Sequence, residues 1–272
     1  MESFIETSPH NDCMVIINNK DNLGFAAGNN VALRYAIKRN IPYIMLLNND
    51  TVVTPDFLTC LTKDLINNSQ WMAIGPKILY HNNPQYIWYA GAQINLSQIA
   101  VKHLGYNQID SNHWTGIKPT DHISACCILA RNKLFQLIGL FDEEYFFIHE
   151  DWDFSCRVKK NGLKLAVDLN AVVYHKVGGS INNRKGNLKN IYFSNKNRLL
   201  LMKKNASTKE MIRGFGYYTI SRFVKFLSLT LRLKLSQLFI EIKSIKDFLS
   251  GYSGIYDRNN ASSVNRHNIK LN

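Results

Sequence analysis

The chain alternates apolar segments with polar, glycine-bearing junctions, and the period of its apolar positions divides it into elements. Ile41 to Leu47 is a nearly uninterrupted apolar run ending at Asn48-Asn49-Asp50, which predicts a strand buried on both faces of a parallel sheet. Val172-Val173-Tyr174-His175 reads as a short β-branched strand running into Gly178-Gly179-Ser180. Glu150-Asp151-Trp152-Asp153 opens a stretch with Phe154 and Val158 at helical spacing. Basic Arg157, Lys159 and Lys160 lie near its end, and Asn161-Gly162 stops it. Ser207 and Glu210 form a capping-box signature ahead of a helix, expected around Ile220 to Leu235. Polar Ser221, Lys225, Ser228, Arg232 and Ser236 share one narrow stripe of it, while Phe223, Val224, Phe226, Leu227, Leu231 and Leu235 cover the rest. Asn259 to Asn272 is polar and reads as a frayed end.

Three of these junctions carry chemistry. Asp50 falls at the carboxyl end of a strand, where open α/β sheets place their ligands, although a lone acid there is more often a cap or turn former. Acids in the first turn after His149 have an ordinary role at the positive end of the helix dipole, which accounts for Glu150 and Asp153. The aromatic approach Tyr145-Phe146-Phe147 is expected to half-desolvate Asp151 and raise its pKa, making it a better proton acceptor. His175 alone is a hydrogen-bonded strand end; in company with Asp50 it makes a metal site plausible.

Further landmarks are Asn22-Leu23-Gly24-Phe25-Ala26-Ala27-Gly28-Asn29-Asn30, Ile123-Ser124-Ala125-Cys126-Cys127-Ile128-Leu129-Ala130-Arg131 and Ile138-Gly139-Leu140-Phe141-Asp142-Glu143. With the Leu-Asn-Asn-Asp run, the Glu-Asp-x-Asp box and the Tyr-His ending, they stand in the order found in inverting family 2 glycosyltransferases. From about Asn18 to Leu200 the chain resembles the rhamnosyl- and galactofuranosyltransferase-like branch, which builds bacterial surface polysaccharides. The resemblance implies an α/β fold of the GT-A type and transfer of a sugar from a nucleotide-diphosphate donor to a glycan or polyprenyl-linked acceptor. On it, Asp50 and His175 hold Mg²⁺ or Mn²⁺ against the donor diphosphate, and Asp151 is the general base. Asn22, Gly24, Phe25, Gly28, Asn29 and Asn49 join Asp50 on the donor side; Trp152, Glu150 and Phe147 lie on the acceptor side. Attack at the anomeric carbon inverts it, with no covalent sugar-enzyme intermediate. Lys196-Asn197-Arg198 after Tyr192 resembles a family Tyr followed by Arg-Asn, with Lys196 in place of that Arg.

The chain departs from this pattern twice. Many relatives have two acids in the metal motif, whereas Asn48 and Asn49 leave Asp50 as the only carboxylate. Relatives also begin with a strand, a helix and a second strand. Here Met1 to Thr7 reads as the tail of the next helix, Met14 to Asn18 as the third strand and Ile41 to Leu47 as the fourth, an amino-terminally truncated GT-A domain.

Composition refines the picture. The 272 residues are 46% hydrophobic, enough for a sizeable core, and suggest a transferase domain over 1–205 with a basic amphipathic helical tail over 206–272. Five cysteines, odd in number and without C-x-x-C spacing, suit a reducing cytoplasm, and no signal peptide opens the chain. Charge is uneven: residues 1–180 carry 15 basic against 16 acidic side chains, residues 181–272 carry 18 against 4. No apolar run approaches the about 20 residues of a spanning helix, so the tail is expected to lie on an anionic membrane surface, at the inner face of the bacterial cytoplasmic membrane. The alternative is a helix packed on the catalytic domain or a self-association face. A nucleic-acid binder is disfavoured, because the basic residues are interleaved with bulky aliphatics and no nucleic-acid motif is present. A rival reading is a catalytically impaired relative that acts as a membrane-associated scaffold.

Overall fold

The computed structural model describes residues 3–5, 14–177 and 184–252. In chain order its elements are β1 (Ser3–Ile5), β2 (Ile16–Asn18), α1 (Gly24–Lys38), β3 (Tyr43–Leu47), β4 (Thr51–Val53), α2 (Phe57–Asn67), β5 (Trp71–Tyr80), β6 (Ile87–Tyr89), β7 (Ala92–Asn95), β8 (Ala100–His103), β9 (Ile117–Thr120), β10 (Cys127–Arg131), α3 (Asn132–Ile138), α4 (Glu150–Lys160), β11 (Lys164–His175), α5 (Arg184–Asn205), α6 (Thr208–Leu231) and α7 (Leu235–Leu249). Gly178-Gly179-Ser180, Cys13 and the Asn259–Asn272 end lie outside the described residues.

The main sheet is mixed, in the order β3-β10-β5-β11-β4, with β6 added to β5 and β9 to β11. Since β10 runs antiparallel to both β3 and β5, and β11 runs parallel to β5, strands β3, β5 and β11 point the same way. Their carboxyl ends and the amino end of β10 therefore emerge on one rim. One face of the sheet packs on α1, α3 and α4 through Leu33, Ile44, Leu134, Phe154 and Val158; the other packs on α2 through Leu61, Leu65, Ile74 and Val173.

The apolar run at Ile41–Leu47 is not a strand of a parallel sheet. It starts at Tyr43, pairs antiparallel with β10 and is the outer strand of the sheet. A continuous apolar run reports that both faces are covered, here by Ile44 and Leu46 on one side and Tyr43 and Met45 on the other, but carries no information on direction. The amino-terminal expectation also changes. Ser3–Ile5, within the segment read as a helix tail, is a strand paired antiparallel with Ile16–Asn18; the rest of Met1–Thr7 lies outside the described residues. Strand β2 makes a two-stranded ribbon with β1 instead of joining the main sheet.

Helix α5 runs beside α4 and packs on α7, with α6 against both α5 and α7. The capping box is present: Ser207 Oγ accepts from Glu210 N, and the Glu210 carboxylate accepts from Ser207 N at 2.9 Å. The expected single helix around Ile220 to Leu235 is broken after Leu231, where Leu233 adopts φ 52° and α7 begins. Helix α6 packs inward through Gly214, Tyr218, Arg222 and Leu229 and not through the expected polar stripe, of which Lys225, Arg232 and Ser236 are exposed. Gly214 meets Leu96 O, Tyr218 and Leu229 are buried, and Arg222 Nη1 donates to Asn195 Oδ1 (2.9 Å) and Glu241 Oε2 (2.8 Å). Asn195 Nδ2 also donates to Glu241 (2.6 Å), and Tyr192 OH to Asp247 Oδ2 (2.6 Å). The apolar face, including Ile220, Phe223, Val224, Leu227 and Leu231, is left outward.

Candidate active site

Backbone bonds tie the rim together. Asn48 N donates to Cys126 O, Lys176 N to Asp50 O and His81 N to His175 O, each at 2.9 Å. This lashing places the side chains of Asp50 and His175 face to face, with His175 Nε2 3.3 Å from Asp50 Oδ1. Neither Asp50 Oδ1 nor His175 Nδ1 makes a hydrogen bond within the protein. An unsatisfied carboxylate oxygen beside an imidazole nitrogen is a donor set that suits a divalent cation, provided phosphate oxygens and water complete the shell. Among the described residues, no group of three or more His, Cys, Asp or Glu side chains is disposed to hold an ion unaided. Trp88 closes the far side of His175, its ring edge-on at 5.1 Å.

Asp151 stands in the first turn of α4. The chain enters that helix through two consecutive left-handed residues, Ile148 (φ 58°) and His149 (φ 72°). Such residues cost about 1–3 kcal/mol each and persist only where the surroundings hold them. The holder is Asn197 of α5, whose Nδ2 donates to Phe147 O (2.9 Å) and Ile148 O (2.7 Å). Asp151 Oδ2 accepts from Ala125 N at 3.1 Å and lies 3.2 Å from His122 Nε2, while 16% of the side chain stays open to solvent.

The aromatic approach does not raise the Asp151 pKa. Burial does push it up, but the close approach of His122 and the Ala125 N–H outweigh burial, and the carboxyl is held below the usual range. The aromatics are occupied elsewhere: Phe146 stacks on Phe193, and Lys204 lies over Tyr145. Glu150 goes the opposite way. It is buried, its Oε2 has no partner, and burial reinforced by the Asp151 charge drives its pKa well above the normal value. The adjacent acids are thus pushed apart, Glu150 toward its neutral form and Asp151 toward its ionised form, which suits Asp151 the better of the two to accept a proton. Asp153 is structural: it takes Arg157 Nε at 2.7 Å and Asn205 Nδ2 at 2.7 Å, joining α4 to the end of α5.

The remaining sequence-selected residues scatter around this centre. Trp152 stacks on His149 at 3.9 Å and packs into the cluster shared with α5 and α6, while Phe147 lies edge-on to Phe193. The Asn22–Asn30 segment docks on the loop before α4. Gly24 has φ +81° and sits so close that a Cβ would lie 2.3 Å from Phe146 O, and Phe25 N donates to that same oxygen. Asn22 Oδ1 accepts from Gly24 N, and Asn29 Nδ2 turns back to Phe25 O. Gly28 faces open space and Asn49 is exposed.

Sequence reasoning missed the residues that link the two halves of the rim. From Asp151 the path runs through His122, stacked on His103 at 6.0 Å, then to Trp88 at 5.3 Å from His103, and so to His175 and Asp50. Burial lowers the pKa of His103 to about 4 and that of His149 to about 3, so both stay neutral near pH 7. Only the position of His122 just ahead of the Ser124-Ala125 landmark hinted at it.

No protein-family profile matches the chain. Over 154 residues, 55% of its length, the chain is 22% identical to Low-salt glycan biosynthesis hexosyltransferase Agl10 of Haloferax volcanii. The match covers 47% of that protein, so the chain spans about half the length of the curated relative it matches. Among solved structures, a crystal structure of GalNAc-T7 with UDP, GalNAc and Mn²⁺ superposes with a TM-score of 0.46 at 15% identity, over 58% of this chain and 31% of that one. The sequence relationship is therefore to a glycosyltransferase, and the fold is mixed α/β.

Proposed function

We propose that the protein transfers a sugar from a nucleotide-diphosphate donor to a hydroxyl of a glycan or lipid-linked glycan, with inversion, in the synthesis of a bacterial surface polysaccharide. The observation that carries this reading is the convergence on one sheet rim of an ionised, partly exposed Asp151 with the unsatisfied Asp50–His175 pair. Asp151 takes the acceptor proton as the acceptor oxygen bonds to the anomeric carbon and the bond from that carbon to the diphosphate breaks; the electron pair leaves with the diphosphate. Displacement from the opposite face inverts the carbon in a single step. Asp50 and His175 would hold Mg²⁺ or Mn²⁺, which when bound offsets negative charge on the departing diphosphate. The Asn22–Asn29 segment and Asn49 serve the donor side in this reading, and Trp152, Glu150 and Phe147 the acceptor side. Residues 1–205 form the transferase unit and 206–272 the tail.

The tail supports a membrane setting at the inner face of the cytoplasmic membrane. Helix α6 packs through Gly214, Tyr218, Arg222 and Leu229 and leaves Ile220, Phe223, Val224, Leu227 and Leu231 outward, with Lys225, Arg232 and Lys234 exposed near them. Of the acids in 207–252, Glu241 and Asp247 are buried in the helix contacts and Glu210 is engaged in the capping box. No described helix is long and apolar enough to cross a membrane. A basic, outward-apolar helix fits an anionic leaflet, where a lipid-linked acceptor resides.

Asp151→Asn tests the central reading. Transfer from a panel of nucleotide sugars to a lipid-linked glycan should fall about 10²–10⁴-fold, while donor binding measured by calorimetry stays unchanged. In the same calorimetry, Asp50→Ala or His175→Ala should weaken the Mn²⁺-dependent part of donor binding. Transfer by Asp151→Asn within a few fold of the parent chain would remove Asp151 as base.

A further inference from the structure

We infer that His122 is the positioning residue of Asp151, fixing which carboxylate oxygen meets the acceptor hydroxyl. This rests on the reading of Asp151 as the base. The His122 ring is buried and its backbone is pinned: the carbonyl accepts from Tyr89 OH at 2.5 Å and from Thr120 Oγ1 at 2.8 Å, and the N–H donates to Thr120 Oγ1 at 3.3 Å. One face of the ring stacks on His103, and Tyr89 lies edge-on at 6.0 Å.

A histidine kept only for packing would have its nitrogens satisfied, because a buried polar atom without a partner is costly. Here neither Nδ1 nor Nε2 makes a well-aligned hydrogen bond, yet Nε2 stands 3.2 Å from Asp151 Oδ2. Catalytic hydrogen bonds are often long or poorly aligned in a free enzyme, so a contact of that length is compatible with a hydrogen bond made in the substrate complex. Oδ2 is then taken by His122 and the Ala125 N–H, leaving Oδ1 for the acceptor. His122 does not receive the transferred proton; that proton ends on Asp151.

The surrounding groups leave this role to His122. His103 from β8 and His149 ahead of α4 are held neutral by burial, Glu150 is pushed toward its neutral form by burial, and Tyr89 from β6 has its hydroxyl committed to the His122 carbonyl. Arg198 of α5 acts on His149 and does not contact Asp151 through any hydrogen bond or ion pair among the described residues. Loss of His122 therefore removes the largest influence opposing burial at Asp151, and the carboxyl pKa must rise.

The test uses the full chain with His122→Phe, which keeps a ring and removes both nitrogens, and His122→Gln, which restores an N–H near the Nε2 position. Carbon-detected NMR titration of the Asp151 carboxyl needs no substrate. It should show an upward pKa shift in the Phe variant and a smaller one in the Gln variant. In the transfer assay, the Phe variant should lose about 10²-fold in kcat with donor KM unchanged, its acid limb should move to higher pH, and Gln should recover most of the rate. An unshifted Asp151 titration in both variants overturns the inference, as does a Gln variant no better than Phe. If the Phe variant does not fold, the Gln titration and acid limb decide alone. Asp151→Asn separates the two failures. If it is inert while His122 variants match the parent, only the inference falls; if it transfers normally, the base assignment falls and the inference with it.

Discussion

Replacing Phe223 and Leu227 together by Ser should detach the protein from membranes without disturbing its fold. Both side chains lie on the outer face of α6, 70% and 52% exposed, so their loss leaves no cavity inside. Full burial of a Phe or Leu side chain contributes about 1.5–3 kcal/mol, and scaling by these exposed fractions gives roughly 3 kcal/mol for the pair in a leaflet. At 1.4 kcal/mol per decade this is about a 10²-fold loss in partitioning. Lys225, Arg232 and Lys234 add about 1 kcal/mol each near an anionic surface, and only their share should fade as salt rises. The assay is co-sedimentation with phosphatidylglycerol–phosphatidylcholine vesicles at low and high salt, alongside size exclusion of the free protein. Equal sedimentation of parent and double variant would refute the membrane face. A dimeric parent that the double variant converts to monomer would reassign that face to self-association.

Two other outcomes follow from groups away from the catalytic residues. Asp168 is fully buried, and burial opposed by the Asn170 N–H but aided by the Asp64 charge lifts its pKa to about 6. The folded state therefore binds this proton more tightly than the unfolded state, and stability should fall as pH rises from about 4 to about 6. Asp168→Asn should raise the melting temperature at pH 8 and leave it nearly unchanged at pH 4; an equal effect at both pH values would contradict the assignment. Gly24→Ala should lower stability by about 1–3 kcal/mol, since it places a Cβ against Phe146 O in a left-handed conformation. A melting temperature equal to the parent's would show that the α1 contact yields at no cost.

The placement of candidate residues was more legible in the sequence than the topology. The meeting of Asp50 and His175 followed from an acid after one apolar run and a histidine ending another, because both fall at strand ends and those ends share a rim. Strand direction was not readable at Tyr43–Leu47, because the same side chains cover both faces in either orientation. The ionisation of Asp151 was misjudged because its controlling partner, His122, is 29 positions away and becomes a neighbour only when the segment before β10 packs against α4. Asn30 shows the same limit: in the sequence it closes a glycine-containing motif, whereas in the fold it clamps the Phe141 backbone through both ends of its amide. The capping box at Ser207 was legible because all its atoms lie within one turn.

The left-handed pair at Ile148 and His149 makes the turn before Asp151 a spring held by a single amide. Glycine at either position would relax that turn, but it would also remove either the Ile148 side chain from its apolar cluster or the buried His149 ring stacked on Trp152. The same change would let the first turn of α4 wander, and with it the carboxylate it carries. Backbone strain and side-chain packing are thus set against each other at two adjacent positions, with Asn197 as the latch that holds the turn before Asp151.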